Sequence, residues 1–66
     1  MINYEITLKE FRKKRNISIR QLEKITGIPR GRLSIIENNK ANPTLDTMLQ
    51  ICTGLNISIY EIIKTY

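Results

Sequence analysis

Signals that start short helices recur along this 66-residue sequence. Three segments match the capping box, in which a hydroxyl accepts a hydrogen bond from a helix amide and a Glu or Gln side chain bonds back. These segments are Thr7-x-x-Glu10, Ser18-x-x-Gln21 and Ser58-x-x-Glu61. Two further starts are Pro29, because a first-turn residue needs no amide hydrogen, and Thr44, which Asp46 follows in the first turn. The pattern predicts five short helices.

Residues that tolerate a left-handed backbone stand where each of the first four helices should end. They are Asn16, Gly27, Asn39 and Asn56. Gly and Asn adopt this conformation at a lower cost than other residues. Between these stops, apolar residues recur at spacings of three and four, so each helix has one apolar face. The core residues predicted from this spacing are Leu8, Phe11, Ile19, Leu22, Ile25, Leu33, Ile36, Leu45, Met48, Leu49, Cys52, Leu55, Ile59, Ile62, Ile63 and Tyr66.

The expected fold is all-α, a compact five-helix domain that spans residues 1–66. A chain of this length forms a single domain and buries roughly 60% of the surface that it exposes when unfolded. Before the first helix, Ile2, Tyr4 and Ile6 alternate with polar residues. This alternation is typical of a short strand or of an ordered arm.

The charge is positive and unevenly distributed. The chain carries 11 Lys plus Arg against 6 Asp plus Glu, a net charge of +5, and its pI is near 9.7. Ten of the cations and four of the anions lie in residues 1–40. Such a surface favours a polyanionic partner, either nucleic acid or an anionic membrane. The cations are spread over several helices rather than along one polar face, which argues against the membrane.

The composition argues against an enzyme. With no His and a single Cys52, the sequence lacks a His-based triad, a His/Cys zinc site and an internal disulfide. We therefore expect no catalytic residue, metal, cofactor or small-molecule ligand. The N-terminus does not match a signal peptide, and no apolar run approaches the roughly 20 residues that span a bilayer. The expected location is the reducing cytoplasm.

The third helix carries two different faces. Leu33, Ile36 and Glu37 form its inward stripe, and the opposite face and flanks hold Arg30, Gly31, Arg32, Ser34, Ile35 and Asn38. An aliphatic Ile35 on an outer face suits a DNA major groove, where it contacts thymine methyls while arginine donates to guanine. Gly31 costs a helix about 1 kcal/mol but lets the backbone approach DNA closely. The alternative is a solvated face on which Ile35 makes a small packing contact.

Many positions together form one recognisable pattern. They are Arg12, Ser18, Leu22, Gly27, Ile28, Leu33, Ser34, Ile36, Glu37, Asn39, Lys40, Pro43, Leu49 and Leu55. In this pattern, residues 8–63 resemble the Cro/Xre-type, lambda-repressor-like helix-turn-helix family of phage and bacterial transcription regulators. The resemblance implies a five-helix domain with its helix-turn-helix at helices two and three. It also implies a dimer that binds inverted repeats in double-stranded DNA, with the third helix in the major groove.

The resemblance also assigns roles to individual residues. The base-reading positions fall on Arg30, Gly31, Arg32, Ser34 and Ile35. The phosphate-contacting positions fall on Ser18, Ile19, Asn38 and Lys40, to which we add Arg20. Members often carry Gln where this chain has Ile19, which can offer a phosphate only its backbone amide. Glu23 replaces a small residue, so it either points outward and pairs with Arg20 or Lys24 or alters the packing of helices two and three.

Two sets of protein contacts are expected. Arg12 and Glu37 both lie on apolar helix faces, and in the resembling family such a pair ties helix one to helix three, which predicts a partly buried salt bridge. On the C-terminal helix, an apolar stripe predicts a homodimer interface, because an exposed stripe usually marks a contact surface. The interface residues are Ile59, Tyr60, Ile63 and Tyr66, with Ile62 in the same stripe. Alternatively, Ile57 and Ile62 complete the monomer core.

These patterns favour a sequence-specific DNA-binding transcription regulator. We expect a small dimeric repressor of its own or a neighbouring operon, in a bacterial or phage-infected cell. The alternative is an antitoxin or another protein-interaction module built on the same fold. A specific gel shift separates the two, although an antitoxin can also repress its own promoter.

Overall fold

Four α-helices and a two-stranded sheet make up the computed structural model, which describes residues 3–66. The helices are α1 (Leu8–Lys14), α2 (Ile19–Thr26), α3 (Arg30–Glu37) and α4 (Leu45–Leu55). Strands β1 (Tyr4–Ile6) and β2 (Ile63–Thr65) pair antiparallel, and a 3-10 turn at Ile59–Glu61 precedes β2. No helix within this described range is long and apolar enough to cross a membrane.

The expected fifth helix is absent from residues 3–66. The fold is mostly helical, as predicted, but the count of five helices is wrong, because four α-helices and a two-stranded sheet are present. The Ser58 signal starts a single 3-10 turn, in which the Ser58 amide donates to the Glu61 carboxylate over 3.1 Å. The chain then extends and pairs with β1, with Ile6 opposite Ile63. The β-branched residues Ile63 and Thr65 suit a strand, and the distant β1 supplies the hydrogen bonds that a further helical turn would have made.

The N-terminal alternation forms a strand rather than an arm. The register of β1 on β2 places Tyr4 opposite Thr65 and Glu5 opposite Lys64. Tyr4 and Ile6 lie on the same face of β1. Ile6 is buried in the core, whereas Tyr4 is 43% exposed, so only the end of the strand next to α1 packs against the core. Ile2, the first member of the predicted alternation, lies outside the described residues.

The helix ends follow the local signals with one exception. The capping box at Ser18 and the cap at Thr44 are confirmed. Their hydroxyls accept from the Gln21 and Thr47 amides over 3.1 and 3.2 Å. The four predicted left-handed residues have φ between 55° and 77°. They are Asn16, Gly27, Asn39 and Asn56. The capping box predicted at Thr7 is wrong: within the described residues its side chain caps no amide, and its own amide, which Glu10 was expected to bind, donates to the Ile62 carbonyl instead.

One core collects side chains from every helix and from the C-terminal segment. Its largest fully buried members are Leu8, Leu22, Leu33, Ile51 and Ile62. Four residues expected in this core are exposed instead: Leu45 (67%), Leu49 (49%), Ile25 (42%) and Tyr66 (71%). α4 instead turns Thr47, Met48, Ile51 and Cys52 inward. Its rotation is fixed by long-range contacts, among them the Gln50 amide, which donates to the Thr26 carbonyl over 2.7 Å.

Gly54 marks the closest approach of α4 to α2. A Cβ at this position would lie 2.8 Å from the Ile25 carbonyl oxygen, well inside van der Waals contact. The obstacle is backbone, which cannot rotate away as a flexible side chain does. Glycine at this position therefore sets the distance between the two helices.

We expect Gly54→Ala to lower the free energy of unfolding by about 1–3 kcal/mol, because the two helices must separate. This range is the net effect, after the roughly 1 kcal/mol that alanine gains as a better helix former. Gly31→Ala is the matched control, since no described atom lies within 4 Å of a Cβ there and the variant should be slightly stabilised. The midpoints of urea denaturation measure the stability of both variants. A Gly54→Ala midpoint at or above that of the wild type would contradict the prediction.

Candidate nucleic-acid interface

A tight turn joins α2 to α3 and fixes the angle between them. Gly27 has φ 77°, and its amide donates to the Glu23 carbonyl over 2.8 Å. The buried Thr26 hydroxyl donates to the Leu22 carbonyl and accepts from the Ile28 amide, at 2.8 and 3.2 Å. Ile28 itself is buried in the core. Because these hydrogen bonds and the buried Ile28 side chain hold the turn in one conformation, the two helices form one rigid unit.

The outer face of α3 is open to solvent. Leu33, Ile36 and Glu37 are buried, as the inward stripe predicts. Four of the five residues expected to read bases are exposed on the other side, and the fifth, Ser34, is half-buried. The exposed ones are Arg30, Gly31, Arg32 and Ile35. The structure therefore brings the five residues together along one accessible side of a single helix.

The residues expected at phosphates lie near the two ends of this unit. Ser18, Ile19 and Arg20 are at the start of α2, where Ile19 is half-buried against the core and the other two are exposed. Asn38 and Lys40 follow the last turn of α3 and are exposed. The Asn38 side chain donates to the Ser34 carbonyl over 2.8 Å, so part of its hydrogen-bonding capacity is used within the helix.

A buried ion pair holds α3 against α1. Arg12 Nε lies 2.8 Å from Glu37 Oε2, and Arg12 Nη2 donates to Glu37 Oε1 over 3.2 Å. Arg12 Nη1 also donates to the Ile17 carbonyl over 3.0 Å, which ties the α1–α2 loop to the pair. The side chains of Arg12 and Glu37 are only 13% and 3% exposed. This forked contact sets the orientation of α3, and with it the direction in which the outer face points.

Asn39 connects the end of α3 to the sheet, a role that the sequence analysis missed. Its side-chain oxygen accepts from the Ile6 amide over 3.0 Å, and its side-chain nitrogen donates to the Ile6 carbonyl over 3.2 Å. Asn39 thus pairs with β1 as a neighbouring strand would. The sequence predicted Asn39 only as a helix stop, because a contact across 33 residues leaves no local signal.

The Glu23 side chain binds Arg30, the first residue of α3. Its Oε2 accepts from the Arg30 amide over 2.8 Å, and its Oε1 lies 3.6 Å from Arg30 Nε. The partner expected from the sequence was Arg20 or Lys24, and this was wrong. Glu23 does point outward, which was one of the two alternatives, but its partner is Arg30, seven positions later in the chain.

Within residues 3–66 there is no group of three or more His, Cys, Asp or Glu side chains that could hold a metal ion. Cys52 is a buried free thiol. Burial raises the pKa of the Cys52 thiol, and the nearby Glu61 carboxylate raises it further. A raised pKa disfavours the reactive thiolate, so Cys52 acts as a small core residue.

Comparisons with known proteins agree with this geometry. A family model described as helix-turn-helix matches residues 8–62. The chain is also similar to the HTH-type transcriptional regulator SutR of Escherichia coli (strain K12), with 41% identity over 51 residues. The matched segment is 77% of this chain but 29% of SutR, so the chain spans less than a third of that relative.

We expect Glu37→Ala to lower the free energy of unfolding by about 3–5 kcal/mol, because it leaves the Arg12 guanidinium buried without its anion. Glu10→Ala, which removes an exposed carboxylate from α1, is the control and should leave the stability nearly unchanged. Chemical denaturation followed by circular dichroism measures both variants. Equal midpoints for Glu37→Ala and the wild type would show that the ion pair does not hold α3.

Proposed function

Because this chain belongs to the Cro/C1-type helix-turn-helix family, we propose that it is a transcription regulator that binds double-stranded DNA. The exposed outer face of α3 carries the proposal, since it presents two arginines, an isoleucine and a bare backbone on one rigid helix. In the proposed complex, α3 lies in the major groove and α2 contacts the DNA backbone. The regulator acts as a repressor of a bacterial or phage-like operon, in the cytoplasm.

Base reading follows from the chemistry of the outer face. Arg32 makes no ion pair or side-chain hydrogen bond with other described residues, so its guanidinium is available to guanine O6 and N7. Ile35, 46% exposed, supplies an aliphatic surface to thymine methyls. At Gly31 the backbone has open space where a Cβ would stand, so it can come close to a base edge. Ser34 adds a short hydroxyl that can donate or accept.

Backbone amides at the start of α2 make a phosphate site. The Ser18 amide already donates to Gln21 Oε1 over 2.7 Å, and the Gln21 amide donates to Ser18 Oγ. The amides of Ile19 and Arg20 lie between these two in the sequence and remain for a phosphate oxygen. The Arg20 side chain is exposed and adds a cation to this part of the surface. Ile19 thus serves through its backbone where other members often use a Gln side chain. Asn38 and Lys40 contact the backbone at the other end of α3.

Two copies of the chain bind one operator in this proposal. A single α3 spans only a few base pairs, and a second copy one helical turn away, about 34 Å, extends the site. The predicted helical stripe is not available, because Ile62 is buried in the core. The surface that remains is dominated by Tyr60 and Tyr66, which are 84% and 71% exposed, with half-buried Ile59 and Ile63 beside them in the sequence. Exposed aromatic residues are enriched at protein interfaces.

Selection of bound duplexes from a random pool tests the proposed function. We expect an inverted repeat whose half-site centres lie about 34 Å apart, because two α3 helices must reach one face of the DNA. A folded protein that enriches no sequence would contradict the proposal and favour the protein-interaction module built on this fold.

Arg32 and Lys40 should affect binding in different ways. On the selected operator, Arg32→Ala should weaken binding by about 1–3 kcal/mol and relax the base preference at one or two positions. Lys40→Ala should weaken binding to all sequences alike and reduce the slope of log affinity against log salt by about one. Each variant removes one cation, so each is the control for the other in titrations at several salt concentrations. Equal losses on operator and random DNA for both variants would contradict the base-reading role of Arg32.

Tyr60→Lys should convert the dimer to a monomer, because it places a cation in the proposed interface. Sedimentation equilibrium, in free solution and on an inverted-repeat duplex, measures the mass and the cooperativity of loading. Leu45→Lys is the matched control, since Leu45 is 67% exposed on α4 and lies outside this surface. A wild-type chain that stays monomeric and loads one copy at a time without cooperativity would contradict the dimer. If Leu45→Lys dissociates the dimer and Tyr60→Lys does not, the interface lies on α4 instead.

A further inference from the structure

The start of α3 is capped by a side chain from α2. Pro29 occupies the N-cap position and has no side-chain acceptor, so it cannot satisfy the free amides of the first turn. Glu23 Oε2 instead accepts from the Arg30 amide over 2.8 Å. The carboxylate thus holds the first residue of the helix that we propose to read DNA.

The same carboxylate also holds the side chain of Arg30. Glu23 Oε1 lies 3.6 Å from Arg30 Nε, and the two side chains are 38% and 48% exposed. Among the described residues, the two terminal NH₂ groups of Arg30 make no hydrogen bond. The contact therefore restrains the guanidinium from its Nε side and leaves both terminal groups for a ligand.

Glu23 is an anion among cations. It shares a shallow cleft of about 330 Å³ with Arg20, Lys24 and Arg30. Cations at such a surface strengthen binding to DNA of any sequence, because each releases counterions from the phosphates. A carboxylate in the same cleft weakens this general binding through repulsion of the phosphates.

We propose that Glu23 is a positioning residue that converts Arg30 from a general phosphate contact into a reader of guanine, an inference that rests on the proposed function. On the operator, the restrained guanidinium donates its two terminal groups to guanine O6 and N7. On other DNA, that contact is missing and the repulsion between Glu23 and the phosphates remains. Specificity is a difference between two affinities, so an element that weakens the wrong complex increases it.

The first test compares Glu23→Gln with the wild type on the selected operator and on random duplex at one salt concentration. Glutamine keeps an acceptor for the Arg30 amide but removes the charge. We expect about tenfold tighter binding to random duplex and about twofold tighter binding to the operator, so the specificity ratio falls about fivefold. Glu10→Gln makes the same charge change at an exposed site on α1, and its ratio should equal that of the wild type. An unchanged ratio in Glu23→Gln would overturn the inference.

The second test follows the guanine contact itself. Replacement of each operator guanine in turn by 7-deazaguanine removes the N7 acceptor. At the position that Arg30 reads, we expect a loss of about tenfold in wild-type affinity and little loss in Glu23→Gln or Arg30→Ala. The same loss in the wild type and in Glu23→Gln would show that Glu23 does not position Arg30.

A purely structural role for Glu23 gives a different result. In that case Glu23→Gln and Glu23→Ala lower the denaturation midpoint, while the specificity ratio and the 7-deazaguanine loss stay at wild-type values, and the inference is overturned. If Glu23→Gln does not fold, Glu23→Asp replaces it, because aspartate keeps the charge but is one methylene shorter and draws the carboxylate away from Arg30. Loss of the 7-deazaguanine effect in Glu23→Asp supports the positioning of Arg30 by Glu23, and its persistence overturns it. A wild-type chain without sequence preference contradicts the proposed function, whereas a selective wild type with an equally selective Glu23→Gln contradicts the inference alone.

Discussion

The buried ion pair between Arg12 and Glu37 is the contact on which the orientation of α3 depends. Two hydrogen bonds join the side chains, and a third runs from Arg12 to the Ile17 carbonyl. A carboxylate with 3% exposure is tolerated only when a partner replaces the water it has lost. This requirement leaves α3 with little freedom to rotate, because rotation would separate the charges. The outer face therefore has a fixed direction.

Both ends of α3 are held by side chains from outside the helix. Glu23 binds the Arg30 amide at its start, and Asn39 binds both backbone groups of Ile6 just beyond its end. The second contact joins α3 to a sheet that also includes the C-terminal segment. A helix held at both ends and along its buried face presents its outer side chains from a rigid base, which limits the entropy lost on binding.

The positive charges and the most exposed aromatic residues occupy different parts of the sequence. The cationic cleft and the outer face of α3 lie in the part of the sequence that holds most of the positive charge. The exposed aromatic residues Tyr60 and Tyr66 lie in the C-terminal segment, which carries few charges. The proposed function uses the two regions differently, the first for contact with DNA and the second for contact with another copy of the chain.

The sequence by itself determined the caps at Ser18 and Thr44, the left-handed residues that end the four helices, and the faces of α3. Caps such as Ser18 and left-handed residues such as Gly27 act within a few residues of their own position, so their chemistry is visible in the printed order. The stripe of Leu33, Ile36 and Glu37 follows from the helical period alone, and it also predicts which residues face outward.

Only the tertiary structure decided the C-terminal strand, the rotation of α4 and the partners of Glu23 and Asn39. The segment after Ser58 carries a helix signal, but its backbone groups pair with β1 from the opposite end of the chain. In α4 both Leu45 and Ile51 are apolar, so either could have faced the core. Contacts with α2 fix the rotation of α4 in which Ile51 is buried and Leu45 is exposed. The physical reason is the same in each case. Local propensities differ by less than about 1 kcal/mol per residue, so contacts between distant segments decide among the alternatives.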